Sequence, residues 1–541
     1  MQKQFLTACF GLAFLSLNAQ TSKGFDDGTT VSTAFKPKLL SANKLLIDPT
    51  VPKGGKYPFD IGYIPQDFKW NTRKITRILP PARHFEPGLD TSFNPNYARL
   101  GGGNYGHKLM ELYLGNRASD KWAYNASFQH LSADAQKTNQ DFSTNRAYLG
   151  GSRFFKRSSM DVRLNYSRDM NRFFAKQKIY ENDAALKRKI GQNLGFNAMY
   201  DMKRDGKKPG IRAGFMFNNF YNNLNQSETE YSAKAGWDAT FKGFSTNGLL
   251  EFTSLLFRQD FVTNQLYFVD ATPRITTKIK QTGIDLTGGL NLTWVFEGKS
   301  DPLFYLNPVV LLEKKLEGLK MKMYGGIDGG LRKNSIRRYF EMVPFTYDSI
   351  QITNTYDQLN GYMGLKGSIT DNSQFMVEFG NNTTSKMPLV ITNNDSIRSL
   401  QIIYDNVNNT YFSADLRFSV GEKLRVGANC KFNNYNTSKQ AMAWHLPSLT
   451  YSLSGQYYVN RNLVAQLGID GMSRRNNIIK NTTNKLDLKG FTDINLRLDY
   501  KIKNLLRVWV QGSNLLNQRY QQWYGYNNFG LSVMGGISAG F

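Results

Sequence analysis

Cysteine is nearly missing from this sequence: only Cys9 and Cys430 occur in 541 residues. Cys9 lies in an apolar N-terminal run, so removal of that run leaves a single thiol and no possible internal disulfide. Histidine is as scarce, and His84, His107, His130 and His445 show no x-x or x-x-x pairing. With no Cys cluster and no calcium-loop spacing either, the sequence offers neither a metal centre nor a cofactor site. Long apolar runs are also lacking. Past the N-terminus no segment approaches the ~20 apolar residues that a spanning helix needs, and the longest candidate, Leu303 to Leu312, is broken by Asn307 and Pro308. Mean hydropathy is −0.46. Disulfide-framed domains and helical membrane proteins are therefore excluded. The chain is either water-soluble or crosses a membrane by alternation of side chains along strands.

The N-terminus itself carries an export pattern. Lys3 precedes the apolar run Phe5 to Leu17 and the small-residue exit Asn18-Ala19-Gln20, the order of a secretory signal peptide cut after Ala19. Reading Leu6-Thr7-Ala8-Cys9 as a lipidation site would leave an apolar core of only a few residues. Residues 1–19 are thus expected to be a signal peptide.

What the sequence has in abundance is aromatic residues, at 13%, and glycine, at 47. From about residue 98 onward these follow one pattern. Trp122, Tyr124, Ala126 and Phe128 alternate with Ala123, Asn125, Ser127 and Gln129, and the segments Tyr231 to Phe241 and Ile284 to Phe296 repeat the alternation. Successive side chains of a strand point to opposite faces, so each segment has one apolar face and one polar or small face. Strands of soluble sandwiches average about five or six residues, whereas these run to about ten or more, enough to cross a bilayer at a tilt.

Short and long connections take turns between these segments. Short polar turns fall near residues 115–120, 156–159, 203–208, 242–244, 316–319, 370–373, 421–423, 460–462 and 501–504, with a tenth around 276–280. Longer polar links lie at 169–189, 333–356, 381–399 and 473–486. Outer-membrane barrels have short periplasmic turns and longer outer loops. The expected fold is therefore all-β, a transmembrane antiparallel β-barrel over residues 98–541 with about twenty-two strands. Boundaries between Arg258 and Thr282 are ambiguous, which makes about twenty equally arguable. Such a barrel is wide enough for a channel or a plug.

In the final strand Leu531, Val533, Gly535, Ile537, Ala539 and the terminal Phe541 share one face. That ending is similar to the signal by which outer-membrane barrels are handed to their assembly machinery, and Leu531, Val533, Ile537, Ala539 and Phe541 are its candidate residues. Just upstream, Asn514-Leu515-Leu516-Asn517-Gln518-Arg519-Tyr520, followed by Trp523-Tyr524-Gly525-Tyr526, resembles the final hairpin of TonB-dependent receptors of the Bacteroidota type. Asn514, Leu515, Asn517 and Tyr520 match that family's Asn-Leu-x-Asn-x-x-Tyr element. The specific motif covers only the last thirty residues or so. The resemblance implies a twenty-two-stranded barrel in the cell outer membrane and a transport role.

The chain departs from that family before the first strand. A receptor carries a plug domain of well over a hundred residues, but here only residues 20–97 are left for it. They hold Pro49, Pro52, Pro58, Pro65, Pro80, Pro81, Pro87 and Pro95 without sustained periodicity, so an extended segment in the lumen or periplasm is expected, with no globular plug. Function is then a channel or transport-type barrel like a porin, or alternatively a structural or assembly subunit of a multi-protein outer-membrane complex.

The formal net charge is +26. For a soluble protein that would suggest nucleic acid. For a barrel, the basic clusters Lys187-Arg188-Lys189, Lys203 to Lys208, Arg337-Arg338 and Arg474-Arg475 are assigned to lipid headgroups, and nucleic acid is excluded as a partner. Outer-membrane lipid, the assembly machinery and other outer-membrane or periplasmic proteins are the expected partners.

Catalytic patterns are set aside on context. Gly101-Gly102-Gly103-Asn104-Tyr105-Gly106 fits G-x-G-x-x-G but is followed by an alternating strand instead of a helix. Gly536-Ile537-Ser538-Ala539-Gly540 fits a nucleophile elbow but is followed only by Phe541. His130, Ser132 and Asp134 could be cast as a Ser-His site, but at a strand end beside a polar loop they read as a solvated rim. The expectation is no enzyme and no catalytic residue.

Overall fold

The computed structural model describes residues 96–541, apart from 117–120, 135–139, 174–187, 206–207, 242–243, 260–261, 299, 347–349, 371, 394–398, 422, 484 and 504. The expectations for the signal peptide and the Pro-rich segment fall on residues 1–95, outside the described residues.

From Tyr97 onward the alternating segments become strands of one antiparallel sheet that closes on itself. The first strand, Tyr97–Gly103, pairs with Lys108–Gly115 on one edge and with the last strand, Ser532–Gly540, on the other. Closure leaves no unpaired edge, which is the condition for strands to cross a bilayer. The sheet has twenty-three segments. They make twenty-two crossings, because Val262–Ala271 and Arg274–Ile279 both pair with Phe244–Gln259 and Ile284–Glu297 and are one strand interrupted at Pro273. Proline has no N–H to give to the ladder, so the strand breaks there. That break, and the two-residue connection from Gln259 to Val262, explain why the sequence pattern was ambiguous over this stretch.

The two faces divide as alternation requires. Trp122, Tyr124, Leu149, Leu164, Leu194 and Ile537 stand exposed on the outer wall. Glu111, Asn193, Glu228, Gln466 and Arg497, of opposite parity, are buried on the inner one. Among the described residues no helix is long and apolar enough to cross a membrane, and none forms a globular domain inside the barrel.

Nine of the expected short turns lie at one rim, together with Tyr97 and Gly540 at the two ends of the barrel, and the tenth, expected around 276–280, falls at the same rim between Ile279 and Ile284, residues 276–279 being strand. The opposite rim departs from strict alternation of short and long links. Its connections at Asn104–Gly106, between Asn222 and Gln226, and between Gln259 and Val262 are themselves tight. The link from Glu297 to Leu303 is also short, and the others are longer. The long link expected at 381–399 is strand as far as Thr392, because Ser373–Thr392 and Leu400–Val420, of 20 and 21 residues, pair with each other beyond the ends of their neighbours.

Candidate functional site

At the loop rim, described parts of the long connections that begin after Arg332, Thr437, Met472 and Ser513 pack as a cap against one another and against the inner wall. The link from Lys333 to Asn354 begins at Asn334, which is fully buried. Its amide donates to Thr353 O at 2.7 Å and Thr355 Oγ1 at 2.8 Å, pinning the two ends of the loop to each other. Ser335 then caps the helix Ile336–Met342 by accepting from Arg338 N at 3.2 Å.

Ile336 and Phe340 are one helical turn apart and so share a face. They fill a patch on the inner wall made by Phe220, Leu255, Phe257, Leu266, Phe268 and Val295. Gly191 completes the fit, since a Cβ there would run into the Phe340 ring. Charges secure the loop around this contact. Arg337 bonds Glu230 at 2.8 Å and stands 3.8 Å from Glu228, while Lys333 reaches Asp270 at 2.6 Å. Lys189, buried on the wall, donates to the carbonyl and hydroxyl of Thr346 at 2.5 and 2.7 Å.

The final long connection, residues 514–531, is shaped by the motif found in the sequence. Asn514 and Asn517 adopt φ of 51° and 49°, left-handed values that asparagine tolerates better than most residues. The Asn514 amide donates to Gln518 O at 2.8 Å and Phe529 O at 2.9 Å, and its oxygen accepts from Gln518 N at 3.0 Å. Asn517 Oδ1 accepts from Leu531 N. Tyr520 stacks on Phe491 at 3.7 Å and donates to Asp493 Oδ2 at 2.6 Å. Leu515 is exposed. The motif is thus a clamp on the loop that feeds the last strand.

In that strand Val533 and Ile537 stand exposed on the outer wall with the half-buried Ala539 on the same face, and Leu531 and Phe541, which flank the strand, are exposed as well.

Further connections join the cap. Tyr526 stacks on Phe345 at 3.6 Å. Arg475, in the hairpin Arg475–Ile478 with Lys485–Leu488, donates to Gln521 O and Gln522 O at 2.6 Å each. Trp444 and Leu446 pack with Met387, Leu389 and Tyr435. His445 is almost wholly buried. Its Nδ1 donates to Val390 O at 2.8 Å and its Nε2 accepts from Tyr524 N at 3.5 Å, which requires the neutral ring. Burial, followed by the Arg475 charge, outweighs the Val390 bond and pulls its pKa down to about 3.

These contacts correct part of the charge assignment. Lys189, Arg337 and Arg475 turn into the cap or onto the inner wall and do not face lipid headgroups. Alternation carries no information about this site. The signal that could have revealed it was the apolar content of the long links, with Ile336, Phe340, Val343, Phe345, Trp444 and Trp523 in segments that should be polar if solvated.

The remaining sequence motifs lie within the wall. Gly101 and Gly103 lie on the inner wall against Trp509 and Met534, and Tyr105 and Gly106, at φ of 57° and 66°, turn the first hairpin. Ser538 is buried within the last strand. Among the described residues, no group of three or more His, Cys, Asp or Glu could hold a metal ion. His130 does not behave as a loosely solvated rim residue. Its ring bonds Ser132 on one side and Asn145, of the next strand, on the other.

A closed twenty-two-stranded antiparallel barrel with an apolar outer band has the architecture of a membrane-spanning β-barrel. Solved structures with this fold include the ferric-catecholate import receptor Fiu of E. coli K12, at TM-score 0.63 and 9% identity over 83% of each chain. The FrpB iron transporter of Neisseria meningitidis matches at TM-score 0.64 and 10% identity over 82% of each chain. The siderophore receptor PiuA of Acinetobacter baumannii matches at 0.61 and 8%, over 82% of this chain and 81% of that one. At such identities the likeness is one of fold, and at that level the resemblance seen in the C-terminal hairpin holds. No protein-family profile and no curated protein matches the chain by sequence.

Proposed function

We propose that this protein is an outer-membrane transport-type barrel, lacking a globular plug, whose passage is governed from the outside by the loop cap. The observation that carries this reading is the helix Ile336–Met342, seated on the inner wall and tied there by Arg337 to Glu228 and Glu230 and by Lys333 to Asp270. A loop held by ion pairs over a polar lumen can be released and reseated, as gates in wide barrels require. The iron and siderophore receptors that share the fold support transport as the class of activity. The signal-peptide pattern and the apolar outer band support the outer membrane as the location. The outward residues from Leu531 to Phe541 support hand-over by the assembly machinery.

Bilayer conductance tests this reading. The wild-type barrel should open rarely, and Arg337→Glu together with Lys333→Glu should increase open time at least tenfold. A wild-type pore that is permanently open, with variants indistinguishable from it, would contradict gating by the cap. Isolation from native membranes only as a stoichiometric complex, with no conductance from the full chain in either form, would instead favour the scaffold role.

A further inference from the structure

We propose that the outer wall of this barrel carries a second site, a Ser132–His130–Asn145 acyl hydrolase that acts on the acyl esters of lipids with anionic headgroups. It is separate from the transport reading and does not depend on it.

The site is built across two strands. In Trp122–Ala133 the outward parity is set by the exposed Trp122 and Tyr124, and His130 and Ser132 share it. In Phe142–Phe154 it is set by the exposed Leu149, and Asn145 and Ser143 share it. The register is uninterrupted and puts His130 opposite Asn145 and Ser132 opposite Ser143. His130 Nε2 lies 3.0 Å from Ser132 Oγ, and Nδ1 lies 2.7 Å from Asn145 Oδ1. The Asn145 amide nitrogen donates to Ser143 Oγ at 3.2 Å, which turns Oδ1 toward the ring. An amide oxygen only accepts, so Nδ1 carries the proton and Nε2 is left bare to accept from the Ser132 hydroxyl. That is the arrangement of an activated nucleophile: hydroxyl, general base, and a third group orienting the base.

The surroundings point to the substrate. The site lies at the loop-rim ends of its strands, beside the outward apolar residues Met110, opposite His130, and Phe128. Lys108 stands opposite Ser132, and Arg168 opposite Asn145, on the same outward face. Tyr166 and Tyr221, both bonded to Gln192 at 2.8 and 2.9 Å, continue this polar row around the wall. Acyl chains would lie along the apolar band below, with phosphate between Lys108 and Arg168. The ester would then sit at the height of Ser132.

In the reaction Ser132 Oγ attacks the ester carbonyl carbon while its proton passes to His130 Nε2. The tetrahedral intermediate collapses, breaking the bond to the glycerol or sugar oxygen, which takes that proton and leaves as the lyso-lipid alcohol. Water then attacks the acyl-serine, gives its proton through Nε2 to Ser132 Oγ, and fatty acid departs. Asn145 is a positioning residue, and Lys108 provides positive charge beside the oxyanion.

The test uses the full chain in two kinds of vesicle, phosphatidylethanolamine with phosphatidylglycerol and the same lipids with lipopolysaccharide, and measures released fatty acid. Heat-modifiable gel migration checks that each variant is folded. The wild type should release fatty acid in at least one arm, and the arm identifies the lipid. It should also be labelled by a fluorophosphonate on the peptide containing Ser132. Ser132→Ala and His130→Gln should each reduce release at least a hundredfold. Asn145→Ala should reduce it about tenfold or more, while Asn145→Asp should restore it and move the pH profile upward, which a merely structural role would not do. Folded wild type that releases no acid from either vesicle and leaves Ser132 unlabelled overturns the proposal, as does Ser132→Ala hydrolysing at the wild-type rate. Binding of lipid without cleavage would show a headgroup girdle only, and overturns it equally.

Discussion

His445 shows how one side chain can make the cap respond to pH. Its pKa in the folded cap is about 3, below the roughly 6.5 of an exposed imidazole. The released cap therefore takes up a proton more readily than the packed one. Stability is complete above about pH 6.5 and falls as pH drops toward 3, by up to about 1.4 kcal/mol per pH unit. Limited proteolysis within residues 438–448 should accelerate between pH 6.5 and 4.5 in the wild type and stay flat with His445→Gln. Equal protection of the wild type at both pH values would contradict this. Asn514 is the second such residue. Losing its three loop hydrogen bonds in Asn514→Ala should cost about 1–3 kcal/mol and lower the temperature at which the barrel loses its compact gel migration. Leu515→Ser, at an exposed position, should leave that temperature within a degree or two.

At the scale of elements, the loop from Lys333 to Asn354 is seated on the wall by Ile336 and Phe340 and tied there by the Lys189–Thr346 bonds and the ion pairs of Arg337 and Lys333. Phe340→Ala should weaken its seating by about 3–5 kcal/mol, read as faster hydrogen exchange over residues 333–346 with exchange in the strands unchanged. Uniform acceleration through the barrel would mean the loop is part of the barrel's own stability. This element also marks where sequence reading reached its limit. Most strands and nine of the ten short turns were legible, because period-two alternation and turn residues are local properties. The cap was not, since the contacts of Phe340 with Phe220 or Arg475 with Gln521 join distant positions that no local period relates. Around Pro273 the local pattern left the strand boundaries ambiguous, and the partners on either side carry the strand across the break.

For the whole molecule, closure through Tyr97–Gly103 and Ser532–Gly540 makes the last strand both a wall stave and the final piece to be placed. If its outward face serves the assembly machinery, deleting Phe541 should lower the folded barrel found in the outer membrane several-fold. Refolding of the purified chain in detergent should be little changed, since Phe541 is exposed and lies just beyond the last strand. Equal loss in both settings would assign Phe541 to the stability of the barrel itself.

The sequence by itself determined that the chain forms a large antiparallel barrel, which faces look outward and where most of the short turns fall. All of these follow from neighbours in the chain and the two-residue period of a strand. Only the tertiary structure decided that parts of the long loops pack against one another as a cap, that several basic side chains tie that cap together, and that His130 meets Asn145 instead of Asp134. Those outcomes depend on strand register and ring closure, which bring together residues that the chain keeps far apart.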